Sequence, residues 1–209
     1  VLWGEKERHE NALHIFLPDS MTTWVYLNLD VEMHDFKFWM AHELGHGFAP
    51  QLTGDAAEDF ADRFAGTLLF PEPLAQEAYR QIKTNWGKAT QVNFIKRLAE
   101  DNLISPVSVY YEINHYAESQ GSPRIEFGDA IFGAAKNLSK GYNNVSATLF
   151  DNARPDVKSY MERCKEVFDT PFFASLKTYL VKEHKSHGYV QAILDIPLLD
   201  AKEIHAALV

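Results

Sequence analysis

An α+β fold, with a short sheet early in the chain and helices after it, is what the order of patterns predicts. Three observations point to it. One stretch near the start, TWVYLNLDV, nearly alternates apolar and polar residues. The segments after it carry helical periodicity and are separated by Pro, Gly and Asn. A chain of 209 residues with 46% hydrophobic and 13% aromatic content can bury a sizeable core, as one domain or as one domain with a helical extension.

The elements follow in order. Residues 23 to 31, TWVYLNLDV, are rich in Val, Tyr, Trp and Leu and read as a strand ending at the MHD turn. A helix containing FWMAHELGHGFAP, residues 38 to 50, comes next and is expected to start near Asp35 as N-cap. Beyond the loop APQLTGD a second helix is predicted from Ala56 to Leu69, stopped by Pro71 and Pro73. Two more are predicted at 73 to 83 and 89 to 101. Another opens on Ser105 as N-cap, with Pro106 at the first helical position, and runs to about Ser119.

QGSPR, residues 120 to 124, is the strongest boundary signal. It separates a first domain, 1 to 121, from a helical region, 122 to 209, that either stands apart or belongs to the same domain. GYNNVS is a further break, after which helices are expected over 155 to 168, 172 to 186 and 199 to 208. Neither an internal repeat nor a low-complexity tract is present.

Composition excludes several function classes. A net charge of −9 argues against a broad nucleic-acid-binding face, which needs concentrated Lys and Arg. The single cysteine, Cys164, cannot form an intrachain disulfide, so the chain is expected in a reducing compartment, the cytoplasm, with Cys164 an ordinary thiol. No apolar run of about 18 residues is present to span a membrane. No signal peptide is expected at the start, which opens on Val1.

The chemistry concentrates in HELGH. On a helix of about 3.6 residues per turn, His42 and His46 stand one above the other. Phe36, Phe38, Trp39, Met40, Ala41, Leu44 and Phe48 fall on nearly every side, predicting a helix buried almost all round. Buried imidazoles and carboxylates need partners. A divalent metal held by both imidazoles supplies one, and Glu43, about 100° around the helix from His42, is left free to reach a metal-activated water.

The second helix offers the third ligand. Ala57, Phe60, Ala61, Phe64, Ala65 and Leu68 form its apolar face, with Glu58 and Asp62 along the edge. Glu58 is the expected ligand, completing three and leaving a fourth tetrahedral position open, as in catalytic sites. Asp55 and Asp59 are the alternatives. Asp59 with Arg63 reads more simply as an exposed pair one turn apart. Asp62 is placed to accept the second ring N–H of one histidine, and Gly45 is a small residue between the ligands. Elsewhere, His184 and His187 read as a solvated helix end, and Tyr111 or His115 is a candidate donor to a tetrahedral oxyanion.

HELGH followed by EDFADRFAGTLLFP, residues 58 to 71, resembles the ImmA/IrrE family of bacterial and phage metallopeptidases. The family pattern is His-Glu-Leu-Gly-His, then E-x-x-A-N-x-F-A-x-x-L-L-M-P. The resemblance implies His42, His46 and Glu58 as zinc ligands, Glu43 as catalytic acid/base, and a zincin-like metallopeptidase domain with a small sheet beside the active-site helix. Asp62 stands where Asn is commoner, and Phe70 where Met is. GFAPQL lacks the His that often follows HELGH, and VSVYYEINHYAE lacks the usual Arg-Leu ending.

Similarity covers about residues 22 to 119, and the C-terminal third matches nothing placed. The family implies a protein substrate, a helix-turn-helix repressor, cleaved or antagonised to release genes of mobile elements or stress responses. The expected function is therefore zinc-dependent endopeptidase, with the strand before the motif helix as a pairing edge for an extended substrate. The alternatives are a metal-stabilised binding module that sequesters its partner uncleaved and a toxin–antitoxin component acting through DNA. No helix-turn-helix unit is evident, and the acidic balance of GYVQAILDIPLLDAKEIHAAL favours packing or protein contact over direct nucleic-acid binding.

Overall fold

A computed structural model of the chain describes residues 11–84, 87–150, 155–194 and 196–209. Residues 1 to 10 of the predicted first domain lie outside the described residues. Among the described residues the fold is α+β and mostly helical, with one small two-stranded antiparallel sheet. The strands are β1 (Ala12–Leu17) and β2 (Thr22–Leu27), joined through a 3-10 turn at Pro18–Ser20. The helices are α1 (Met33–Phe48), α2 (Asp55–Leu69), α3 (Glu72–Ile82), α4 (Lys88–Asn102), α5 (Pro106–Ser119), α6 (Asp129–Ser139), α7 (Val145–Leu149), α8 (Val157–Phe168), α9 (Phe172–Lys182), α10 (His187–Leu194) and α11 (Leu198–Leu208).

Several expectations are corrected. The predicted strand over 23 to 31 stops at Leu27, because the Asn28 side chain turns the backbone by accepting from the Asp30 N–H at 2.8 Å. Strand β1 and helices α6 and α7 lie outside the predicted elements. Helix α1 begins at Met33 with Glu32 as its cap residue, so Asp35 lies inside the first turn rather than at the N-cap. The helix predicted over 172 to 186 ends at Lys182 as α9, and α10 starts beyond it at His187. His184 takes a left-handed φ of 50°, its N–H reaches Val181 O, and Lys185 N–H reaches Leu180 O at 3.0 Å, a Schellman closure that ends the helix. Ser105 caps α5 as expected, accepting from Val107 N–H at 3.2 Å.

The chain forms two compact units. The larger spans residues 11–25 and 32–143, and the smaller, in its described part, residues 26–31, 144–150, 155–194 and 196–209. The core of the larger unit gathers α3 to α6 around Phe70, Ile95, Ile113, Phe127 and Ile131. Asn114, fully buried, fastens the stretch after α5 to that core: its side chain donates to Ile125 O and accepts from Ile125 N–H at 2.7 Å. In the smaller unit the 26–31 segment is tied to α7. Ser146 N–H donates to Leu29 O, Val145 N–H to Val31 O, and the Ser146 hydroxyl to Asp30 Oδ1 at 2.6 Å.

Helix α1 is not buried all round. Met40, Leu44 and Phe48 are 45%, 47% and 66% exposed, since β1 and α2 cover only part of its circumference. Its contact with α2 depends on Gly45. A Cβ there would lie 3.0 Å from Ala61 Cα and 3.2 Å from Phe64, closer than side chains normally pack, so the missing methyl sets how near the two helices come.

Candidate metal centre

Close packing of α1 on α2 brings the carboxylates of one to the imidazoles of the other. His42 and His46 are buried, and their Nε2 atoms lie 3.1 Å apart. Glu58 sets one oxygen 3.3 Å from His42 Nε2 and the other 3.5 Å from His46 Nε2. The Asp62 carboxylate accepts from His42 Nδ1–H at 2.9 Å. Glu58 and Asp62 are both about 60% exposed (63% and 62%), so the cluster is dry on the imidazole side and open on the carboxylate side.

The buried ring nitrogens and the Glu58 carboxylate form a donor set that suits a cation. Because His42 spends its one N–H on Asp62, its Nε2 carries a lone pair that faces both His46 and the Glu58 carboxylate. With the His46 proton on Nε2 that ring donates to His42 at 3.1 Å; with it on Nδ1 the three facing atoms are all acceptors, a set suited to a shared cation. Burial pushes the His46 imidazole below its ordinary pKa, and the neighbouring His14 and His42 act in the same direction, against the pull of Glu58 and Glu43. His46 is thereby kept neutral, the form that ligates metals. The group His42, His46 and Glu58 can hold one metal ion.

Glu43, buried on the same helix, turns to a residue that sequence reasoning missed. His14 on β1 donates its Nδ1–H to Glu43 Oε2 at 2.9 Å, and its ring lies on that of His46, with centroids 4.3 Å apart and planes 18° from parallel. A second candidate group, His14, Glu43 and His46, results. The available signal was ALHIFL itself, a strand-length apolar run ending at Pro18 with one polar residue inside it.

The other candidates do not converge here. Among the described residues, Asp55, Asp59, His184 and His187 belong to neither metal-ligating group. Arg63, expected beside Asp59, reaches Glu112 Oε1 at 3.4 Å instead and donates to His115 Nδ1. The reason is burial: Glu112 is only 8% exposed and needs a cation, which the long Arg63 side chain supplies from the helix edge. His115, with its Nδ1 taken by Arg63, is part of this α2–α5 brace, and Tyr111 is half exposed on α5. Cys164 is buried, and burial pushes its thiol up, as an ordinary structural thiol requires. Among the described residues no helix is long and apolar enough to cross a membrane.

Comparison with protein-family models, with curated proteins and with solved structures finds no match for this chain.

Proposed function

We propose that the chain is a zinc-dependent endopeptidase, zincin-like and of the ImmA/IrrE kind, acting on a protein substrate. The observation that carries this reading is the triangle of donor atoms on α1 and α2. Its sides are 3.1, 3.3 and 3.5 Å. Two ligands of a tetrahedral zinc, with bonds of about 2.0–2.1 Å, stand about 3.3 Å apart. Three protein ligands leave the fourth position open, the arrangement of catalytic rather than structural zinc. Asp62 fixes the tautomer of His42 and raises its basicity, as carboxylates behind ligating histidines do.

Bound there, zinc supplies a Lewis acid that acidifies water and polarises a peptide carbonyl. The chain's own residues do the rest. Glu43, on the same helix as His42 and His46 but not itself a member of the ligand triangle, takes the proton of the attacking water and delivers it to the departing amine. Its Oε2 is held by His14, so the proton is carried by Oε1. The sheet brings a strand beside the site, and an extended peptide can add to a strand edge by main-chain hydrogen bonds. A helix-turn-helix repressor is the proposed substrate; what supports it is the motif pair HELGH and EDFADRFAGTLLFP.

The test is a digest of a proteome-derived peptide library by the zinc-loaded chain, with new termini read by mass spectrometry. Glu43→Gln keeps size and hydrogen bonding but not the base. Cleavage by the wild type, lowered at least about 10²-fold in a zinc-replete Glu43→Gln variant, is the expected result. The absence of new termini from the wild type at full zinc occupancy, or equal cleavage by the variant, would end the peptidase reading.

A further inference from the structure

We propose that His14 is a positioning residue, whose Nδ1–H holds the Glu43 carboxylate in the orientation its proton transfer needs. This rests on the hydrolase reading for its catalytic meaning, but the hydrogen bond itself stands on geometry. Glu43 is buried, its side chain 5% exposed, and a buried carboxylate with no donor costs several kcal/mol. Among the described residues His14 is its one hydrogen-bond partner. Because an ionised carboxylate only accepts, the proton sits on His14 Nδ1.

Three residues here, His14, Glu43 and His46, could also be read as a second metal site. The His14–Glu43 spacing fits the hydrogen-bonded reading. His14 Nδ1 and Glu43 Oε2 are 2.9 Å apart, the usual N–H···O length of about 2.9–3.0 Å. Two ligands of one tetrahedral ion would stand nearer 3.3 Å, as the donors around Glu58 do. Stacking on His46 then keeps the His14 ring from turning. Glu43 Oε2 is thus committed to the strand, Oε1 remains for chemistry, and the carboxylate is kept from swinging into the coordination sphere of a metal held by His46.

His14→Ala and His14→Asn, the second able to donate from nearly the position of Nδ1, test this with three readouts on the full chain. Titration with zinc alone should give one equivalent, with affinity within about threefold of wild type in both variants. A lost equivalent or a large fall in affinity would make His14 a ligand and overturn the proposal. Nitrogen-15 NMR of the zinc-loaded protein should show a protonated His14 Nδ1 whose signal shifts in Glu43→Ala. A signal indifferent to Glu43 would overturn it equally.

With a peptide cleaved by the wild type, His14→Ala should lower kcat about 10- to 100-fold, the usual scale for a group orienting a neighbour in a metal site. KM should stay unchanged, and His14→Asn should recover most of the loss. Unchanged kcat in His14→Ala would also reject the proposal. If the wild type cleaves nothing, the peptidase reading fails alone, and the NMR result still decides whether His14 holds Glu43.

Discussion

His42 Nδ1–H donates to Asp62 Oδ1 across 2.9 Å, and through that bond α2 determines which nitrogen of a buried α1 histidine keeps its lone pair. The carboxylate is 62% exposed and the imidazole 4%, so the partner that orients the ring remains in water. Removing it leaves the ligands in place but the tautomer free. We therefore expect Asp62→Ala to lower zinc affinity about 10- to 100-fold. Glu58→Ala, which removes a ligand, should cost far more, and Asp59→Ala almost nothing. Competition with a chromophoric chelator gives the ranking, and equal effects of Glu58→Ala and Asp59→Ala would show that Glu58 is not the third ligand.

Zinc content and stability should rise together. The purified chain is expected to carry about one zinc, and zinc at a thousandfold its Kd should stabilise the folded state by about 4 kcal/mol. Chelation should therefore lower Tm. His42→Ala or His46→Ala should abolish both the metal and the shift, and near-stoichiometric zinc in both variants would sink the assignment.

Two glycines on α1 make a matched pair. Alanine at Gly45 would press its methyl to 3.0 Å from Ala61 Cα, whereas at Gly47 it would meet Thr23 at an ordinary 3.7 Å. Both changes gain about 1 kcal/mol of helix propensity, but overpacking at Gly45 costs about 1–3 kcal/mol. Gly47→Ala should be stabilising, and Gly45→Ala neutral to destabilising with weakened zinc binding, because α2 carries Glu58. Urea unfolding would contradict the close-approach argument if the two variants were equally stable.

His34 gives a pH signature. It is buried beside the edge of Tyr142, with Nε2 lacking a partner. Burial pushes its pKa below the ordinary 6.5, outweighing the pull of Glu32. On acidification the unfolded chain therefore binds its proton first, and stability falls with pH from about 6.5 down through the folded-state value. In metal-free protein, His34→Phe should remove this loss, so its stability relative to wild type should increase between pH 7 and pH 5. A constant difference across that range would show that His34 titrates alike folded and unfolded.

Local pattern determined much of this protein. The i,i+4 spacing of His42 and His46 puts both imidazoles on one face of any helix. The amphipathic wheel of EDFADRFAGTLL left Glu58 and Asp62 on its edge, where both are found. Ser105 followed by Pro106 announced the start of α5 because capping is a contact within three residues. Each of these follows from chemistry that neighbours in sequence share, and needs no knowledge of the rest of the chain.

Tertiary structure decided the remainder, because it depends on which surfaces meet. That Gly45 lets α2 come near enough for Glu58 to bridge two histidines is a property of the helix pair, not of either wheel. Arg63 turned from Asp59 to Glu112 because a buried carboxylate 49 positions away needs a cation more than an exposed one does. The apolar wheel of α1 predicted full burial, but periodicity records which faces can be covered and not how many neighbours arrive, so Met40, Leu44 and Phe48 stay exposed. His14 lies 29 positions from Glu43, and only the pairing of β1 with β2 and the packing of α1 against β1 bring its Nδ1–H to the carboxylate, since no spacing rule links a strand residue to a helix residue that far along the chain.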